Sequence, residues 1–176
     1  SLMAFESGDV DFLTDLSVPY EHELYRLARD GSRPDLKPCQ TPATYFFNFN
    51  CASAEVSGQK NPFTNPLVRR AFTLATDRAS IVENVRKRGD RPARTFVPSG
   101  TISDYDPPQG LDYDPVVARE LLAKAGYASG AALGPIELLY PPRQAKVCQA
   151  LARMWEETLG VQVELRAQES KTFADE

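Results

Sequence analysis

The chain has 176 residues, with 20 lysines and arginines against 24 aspartates and glutamates, so its formal net charge is −4 at pH 7. This balance argues against a nucleic-acid-binding protein, and a content of 42% hydrophobic and 25% charged residues is typical of a globular one. Fourteen prolines argue against an all-helical bundle. No apolar run approaches the roughly 18 residues that a membrane-spanning helix needs.

The residue inventory excludes several classes of enzyme. Cys39, Cys51 and Cys148 stand far apart without a C-x-x-C pair, which rules out a zinc ribbon or a dithiol site. A Cys39–Cys51 disulfide and three reduced thiols both stay open, and we favour reduced thiols. His22 is the single histidine, and its polar, helix-like surroundings favour a surface residue over a catalytic base. Phosphate-binding glycine motifs and a G-x-S-x-G nucleophile motif are absent as well. From this inventory as a whole, we expect no catalytic residue, no metal and no cofactor.

Strands and a helix are predicted in the first third of the chain. A turn at Gly8 is followed by a short apolar stretch that predicts a strand over residues 10–13. Leucine and alanine spacing predicts a helix over residues 20–29, closed by Gly31. The aromatic stretch ATYFFNFN, residues 43–50, gives the strongest strand signal in the sequence.

Three helix starts are legible in the middle of the chain. Asn65 stands before a proline, which predicts a capped helix start. Asp77 is positioned to cap the next helix, which we expect to end at Gly89. A long polar loop over residues 90–113 then leads to Asp114, which again precedes a proline and an apolar helical pattern.

The last third alternates strand, helix and strand. Residues 135–140 predict a strand, residues 142–159 predict a helix with one apolar stripe, and residues 161–165 alternate as a strand. A helical link of this length joins parallel, neighbouring strands. The fold class is therefore α/β, with mixed α+β character.

Two groups of residues are candidate binding sites. Arg143 follows a strand end and begins a helix, so its guanidinium could clamp a carboxylate there, although plain surface charge is the alternative. A basic cluster lies at a helix end, where either solvated charge or an anion site would account for it: Arg86, Lys87, Arg88, Arg91 and Arg94. The tetrapeptide DYDP occurs twice and suggests either calcium ligands or Asp-Pro turns, and we favour turns.

Read in order, these motifs resemble one protein family. The pieces are Gly8-Asp9-Val10-Asp11, TYFFNFN, NPFTNPLVRRAFTLATDRASIV, LLAKAGY, PIELLY, ALARMWEETLGVQVEL and Gln168-x-x-Lys171-x-Phe173. Together they resemble the extracellular solute-binding proteins of peptide ABC importers, the family 5 type with oligopeptide- and dipeptide-binding members. Those proteins are roughly three times as long, so we expect this sequence to be part of a longer protein.

The resemblance implies a two-lobed, periplasmic-binding-protein-like fold of type II. It assigns residues 1–42 to the end of the first lobe and the crossover, and 43–176 to a hinge strand and the first half of the second lobe. The remainder of the second lobe would follow Glu176. The resemblance also places Arg86 at the cleft, where a relative carries a lysine, and Ser170 where the family often has a tryptophan. With Arg143 and Tyr140, these are the candidate ligand-binding residues.

The implied function is capture of a solute, most simply a peptide, between two lobes and its delivery to an ABC permease in the membrane. We expect a monomer in the periplasm or the outer cell envelope, with no nucleic-acid partner and no enzymatic activity. The alternative is a ligand-sensing module of the same fold in a regulatory or signalling protein. A signal peptide in the full gene product would favour transport, and a helix-turn-helix domain would favour regulation.

Overall fold

The computed structural model describes residues 2–14, 16, 20–39, 41–56 and 58–169. Its helices are α1 (Leu2–Glu6), α2 (Glu21–Arg29), α3 (Pro66–Leu74), α4 (Arg78–Ser80), α5 (Pro115–Lys124) and α6 (Ala145–Leu159). Its strands are β1 (Glu55–Val56), β2 (Gln59–Lys60), β3 (Ile136–Tyr140) and β4 (Val163–Ala167). Within this described part, no helix combines the length and apolar character needed to cross a membrane.

The predicted strand–helix–strand unit is confirmed. β3 and β4 pair in parallel, with Ile136 opposite Val163 and Tyr140 opposite Ala167, and α6 makes the connection between them. The other pair, β1 with β2, is a small antiparallel hairpin within a stretch of small and polar residues. The chain is therefore of mixed α and β composition, as expected.

The three predicted helix caps are formed. The Asn65 side chain accepts a hydrogen bond from the backbone N–H of Leu67 at 2.9 Å. The Asp77 side chain accepts from the N–H of Ser80 at 2.9 Å. Asp114 accepts from the first turn of α5 and so begins that helix, which explains the second DYDP copy without a metal ion.

The helix after Asp77 ends earlier than the sequence predicts. α4 continues as a π-helical turn over Ile81–Arg86, and the N–H of Lys87 closes that turn on the carbonyl of Val82 at 2.9 Å. Lys87 then adopts a left-handed conformation with φ of 53°. The chain therefore turns at Lys87, two residues before the predicted stop at Gly89.

Aromatic contacts organise the core between α3 and α6. Phe72 of α3 is fully buried, and its ring meets the indole of Trp155 with centroids 5.1 Å apart. The ring of Phe63 packs against the Phe72 ring, with centroids 5.1 Å apart, and stacks on the ring of Phe49, with centroids 4.8 Å apart. The Trp155 N–H donates to the carbonyl of Phe72 at 3.1 Å and to the hydroxyl of Thr76 at 3.0 Å.

Helix α2 lies against the turn that follows the π-helical segment. Glu21 forms an ion pair with Arg88 at 2.7 Å, between residues far apart in the sequence. Gly89 has φ of 76°, and a Cβ added there would collide with the hydroxyl of Tyr25. Leu24 of α2 is buried. These contacts fix α2 beside the end of the π-helical turn.

Two predicted strands are wrong. Residues 10–13 form no strand, because α1 ends in a hydrogen-bonded turn at Gly8 and leaves Phe12 79% exposed. The stretch 43–50 keeps the alternation of a strand, since Phe47 and Phe49 face the core while Phe46 and Asn48 face outward. Within the described residues no other strand pairs with it, so the aromatic pattern is not matched by a hydrogen-bonded ladder.

The three cysteines are free thiols. Cys39 and Cys51 are exposed, whereas Cys148 is fully buried in α6. Burial raises the pKa of the Cys148 thiol to about 11, because the thiolate would lose its hydration. Of the two alternatives that the sequence left open, the structure has the reduced thiols.

We expect Trp155→Phe to lower the free energy of unfolding by about 2–3 kcal/mol, because it removes two hydrogen bonds and leaves space in the core. Urea unfolding followed by circular dichroism measures this loss. The matched control is Phe12→Leu at an exposed aromatic residue, which should change stability by less than about 0.5 kcal/mol. A Trp155→Phe loss as small as that of the control would contradict the central role of the indole.

Thiol labelling should separate the cysteines into two classes. In the native chain at pH 8, we expect Cys39 and Cys51 to react readily with a thiol reagent and Cys148 to react only on unfolding, because its thiol is buried and neutral. Mass spectrometry of the labelled protein identifies each site. The unfolded chain is the control, in which all three should react. No reactive thiol in the native chain, with only Cys148 reacting in the unfolded, unreduced chain, would indicate a Cys39–Cys51 disulfide.

Candidate ligand-binding site

The candidate site lies where the parallel strands end and α6 begins. Tyr140 ends β3, and a 3-10 turn over Pro142–Gln144 leads into α6. The Tyr140 side chain is buried with 8% exposed, and its carbonyl accepts a hydrogen bond from the N–H of Gln168 at 2.9 Å. Tyr140 therefore holds the strand end in place, whereas Arg143, three residues later, lies exposed at the start of the helix.

The guanidinium of Arg143 has no carboxylate or hydrogen-bond partner among the residues that the structure describes. Its positive charge acts on Tyr45, in the aromatic stretch before β1. Burial raises the pKa of the Tyr45 hydroxyl, Cys148 raises it further, and Arg143 opposes both by favouring the phenolate. An arginine without a carboxylate partner at the carboxyl edge of a parallel pair is able to bind an anion.

Arg86 ends the π-helical turn and lies on the same side of the molecule as Arg143. Its Nε donates to Asp90 Oδ2 at 2.8 Å, and its side chain is 23% exposed. Arg86 and Arg143 line one shallow cavity of about 70 Å³, together with α2 residues Glu21 and His22. The structure thus brings together two of the four predicted site residues, which are more than fifty positions apart.

A second cavity of about 230 Å³ adjoins the first and shares His22, Val85 and Lys146 with it. Lys87 and Asn84 complete its lining. We call the two cavities together the basic groove, defined by its five basic side chains: His22, Arg86, Lys87, Arg143 and Lys146. Sequence reasoning missed the part that His22 and Lys146 play, because nothing in the local pattern shows that α2 comes to lie beside α6.

Two other members of the basic cluster are neutralised within the chain. Arg88 pairs with Glu21 at 2.7 Å, and Arg94 pairs with Asp112 at 2.9 Å. The sequence left open whether these arginines bind an anion or only carry solvated charge, and in the structure each of the two pairs with a carboxylate of the chain itself. Arg86 is also paired, but it keeps its place in the groove.

In the part of the chain that the structure describes, three buried polar atoms lack a hydrogen-bond partner, and one of them belongs to the groove. The side-chain oxygens of Thr44, Gln144 and Gln168 are buried without a hydrogen-bond partner in the described residues. Gln144 lines the cavity that holds Arg143. A buried acceptor without a donor costs free energy, so an incoming N–H group would be favoured there. Ser170, the fourth predicted site residue, lies outside the described residues.

A metal centre finds no support in the part of the chain that the structure describes, where no three His, Cys, Asp or Glu side chains gather. The groove is instead built from cationic and amide groups. Such a lining can bind carboxylates and the N–H groups of a main chain, and it offers no nucleophile paired with a base.

The chain resembles proteins of known function along its whole length. The family model for bacterial extracellular solute-binding proteins, family 5, matches residues 1–176. The periplasmic oligopeptide-binding protein OppA of Salmonella typhimurium is 32% identical over 97% of this chain and 31% of its own length. The oligopeptide-binding protein OppA of Bacillus subtilis is 31% identical over 99% of this chain and 32% of its own length.

Solved structures agree with the sequence comparison. The crystal structure of Haemophilus influenzae OppA in complex with RPPGFSPFR superimposes with a TM-score of 0.72 at 27% identity, covering 99% of this chain and 34% of that chain. The chain therefore spans about a third of the length of the relatives that it matches. With a family match over every residue, this chain belongs to the bacterial extracellular solute-binding proteins of family 5.

Proposed function

We propose that the complete protein is the solute-binding component of an ABC importer and that it captures peptides between two lobes for delivery to a membrane permease. The observation that carries this proposal is the exposed Arg143, which has no carboxylate partner in the described residues and shares a cavity with Arg86 in a family 5 chain. Relatives named as periplasmic oligopeptide-binding proteins support peptide as the solute and the periplasm or outer cell envelope as the location. They also favour transport over the sensory alternative.

In this proposal, residues 1–42 belong to the end of the first lobe, and residues 43–176 contribute the hinge and the first half of the second lobe. Helix α2 would then approach the groove from the first-lobe side, and Arg86, Arg143 and Lys146 would approach it from the second. A ligand that contacts both sides would favour the closed arrangement by a hinge motion. Closure would exclude water and strengthen every charge interaction in the groove.

Arg143 has the role of reading the terminal carboxylate of the peptide. Its guanidinium can form two parallel hydrogen bonds to a carboxylate, and the N-terminal end of α6 adds a favourable dipole. Gln144, with a buried oxygen that lacks a donor among the described residues, is suited to accept from a peptide N–H. Tyr140 supports the loop through its buried ring and its backbone hydrogen bond, and Ser170 stays a prediction as a ligand contact.

We expect Arg143→Ala in the full-length protein to weaken binding of a tripeptide with a free carboxylate by about ten- to a hundredfold, the value of a charge-assisted pair. The C-terminal amide of the same peptide should lose much less. Isothermal titration calorimetry with both peptides measures the difference.

The matched control is Arg153→Ala on the outer face of α6, where Arg153 is 79% exposed and pairs with Glu157. This variant should bind both peptides as the unaltered protein does. Equal losses for the free acid and the amide in Arg143→Ala would show that Arg143 does not read the carboxylate. A full-length protein that binds no peptide would contradict the proposed function itself.

A further inference from the structure

We infer that the basic groove selects peptides carrying a second negative charge beside the terminal carboxylate, that is, peptides ending in glutamate or aspartate. This inference rests on the proposed function, because it specifies which peptides the same site would prefer. Its basis is the arrangement of charges and space in the groove, in which the carboxylate of a ligand's terminal side chain would meet the lysines next to Arg143.

The groove offers two adjoining places for negative groups. One cavity, of about 70 Å³, lies between Arg86 and Arg143, and the other, of about 230 Å³, lies beside Lys87 and Lys146. Because both cavities share His22 and Lys146, a terminal residue could fill them together. Its main-chain carboxylate would lie at Arg143 and its side chain would enter the larger cavity.

The cations of the groove exceed the anions. Asp90 pairs with Arg86, and Glu21 pairs with Arg88. Arg143, Lys87 and Lys146 have no carboxylate partner within the described residues. Three uncompensated cations thus gather on one face of a chain whose formal net charge is −4. A single terminal carboxylate would neutralise the charge of Arg143, and the charges of Lys87 and Lys146 would remain without a counter-ion.

The amide groups of the lining fit the same ligand. Gln144 has a buried oxygen without a donor among the described residues, on the Arg143 side of the groove. Asn84 lines the larger cavity and its side-chain N–H donates to the hydroxyl of Ser80 at 3.1 Å, while its side-chain oxygen accepts no hydrogen bond from the described residues. Acceptors of this kind suit main-chain N–H groups, and the lysines then remain as the groups that distinguish one terminal side chain from another.

The test compares two peptides that differ by one charge at equal size. Calorimetry on the full-length protein at low ionic strength would titrate Ala-Ala-Glu and Ala-Ala-Gln. Exposed ion pairs contribute about two- to fivefold each, so we expect the glutamate peptide to bind about fivefold more tightly. Removing both lysine charges with Lys87→Asn and Lys146→Gln should reduce this preference to below about twofold. Asparagine suits the left-handed conformation at position 87.

Charge reversal by Lys146→Glu is the second variant, and it should turn the preference toward the glutamine peptide. Lys124→Gln, at the end of α5 and outside the groove, is the matched control and should keep the original preference. Thermal melting of each variant verifies its folding. Equal affinity for the two peptides in the unaltered protein would overturn this inference and leave the proposed function standing. A preference that survives removal of both lysine charges would overturn it as well, whereas no binding of either peptide would count against the proposed function.

Discussion

The contact between Trp155 and the carboxyl end of α3 fixes the positions of Arg143 and Arg86 relative to each other. The indole ring packs edge-on against Phe72, and its N–H satisfies the Phe72 carbonyl and the Thr76 hydroxyl in the same place. Because a buried indole N–H must find a partner, α6 cannot rotate or slide on α3 without losing these bonds. The start of α6 is thereby fixed relative to the segment that follows α3, and these two segments carry Arg143 and Arg86.

The electrostatic character of the groove follows from element ends rather than from a single motif. Arg143 belongs to the turn that begins α6, Arg86 and Lys87 lie at the end of the π-helical turn, and His22 lies at the start of α2. The ends of helices and turns expose unpaired backbone groups and long side chains together. Internal ion pairs then decide which of these cations remain available, and they leave Arg143 and the two lysines of the groove without a carboxylate partner in the described residues.

Local chemistry made much of the fold predictable. The caps at Asn65, Asp77 and Asp114 and the parallel pair around α6 follow from side-chain acceptors and from periodicity, which act over a few residues. The stretch 43–50 shows the limit of this reasoning. Its alternation of inward and outward rings is real, but a strand also needs a hydrogen-bonding neighbour, and alternation does not reveal whether one exists.

The site was predictable only in part, for the same reason. The position of Arg143 after a strand and before a helix marks it as a candidate from the sequence alone, and a family resemblance adds Arg86. The closeness of α2 to α6 depends on contacts such as Glu21 with Arg88, across 67 positions. No periodicity within α2 reports such a contact, so His22 reads as an ordinary surface residue until the tertiary structure is known.

Gly89 gives the groove a width that is independent of its charges. Its missing side chain lets the Tyr25 hydroxyl come close to the backbone, and Tyr25 carries α2 with it. A larger residue at this position would force the Tyr25 side chain, or α2 with it, away from the turn and would also be strained by the left-handed backbone. Variation at one glycine, which itself does not line either cavity, would therefore bear on the width of the groove while leaving its lining groups intact. Such a spacer separates the dimensions of the groove from the chemistry of its lining.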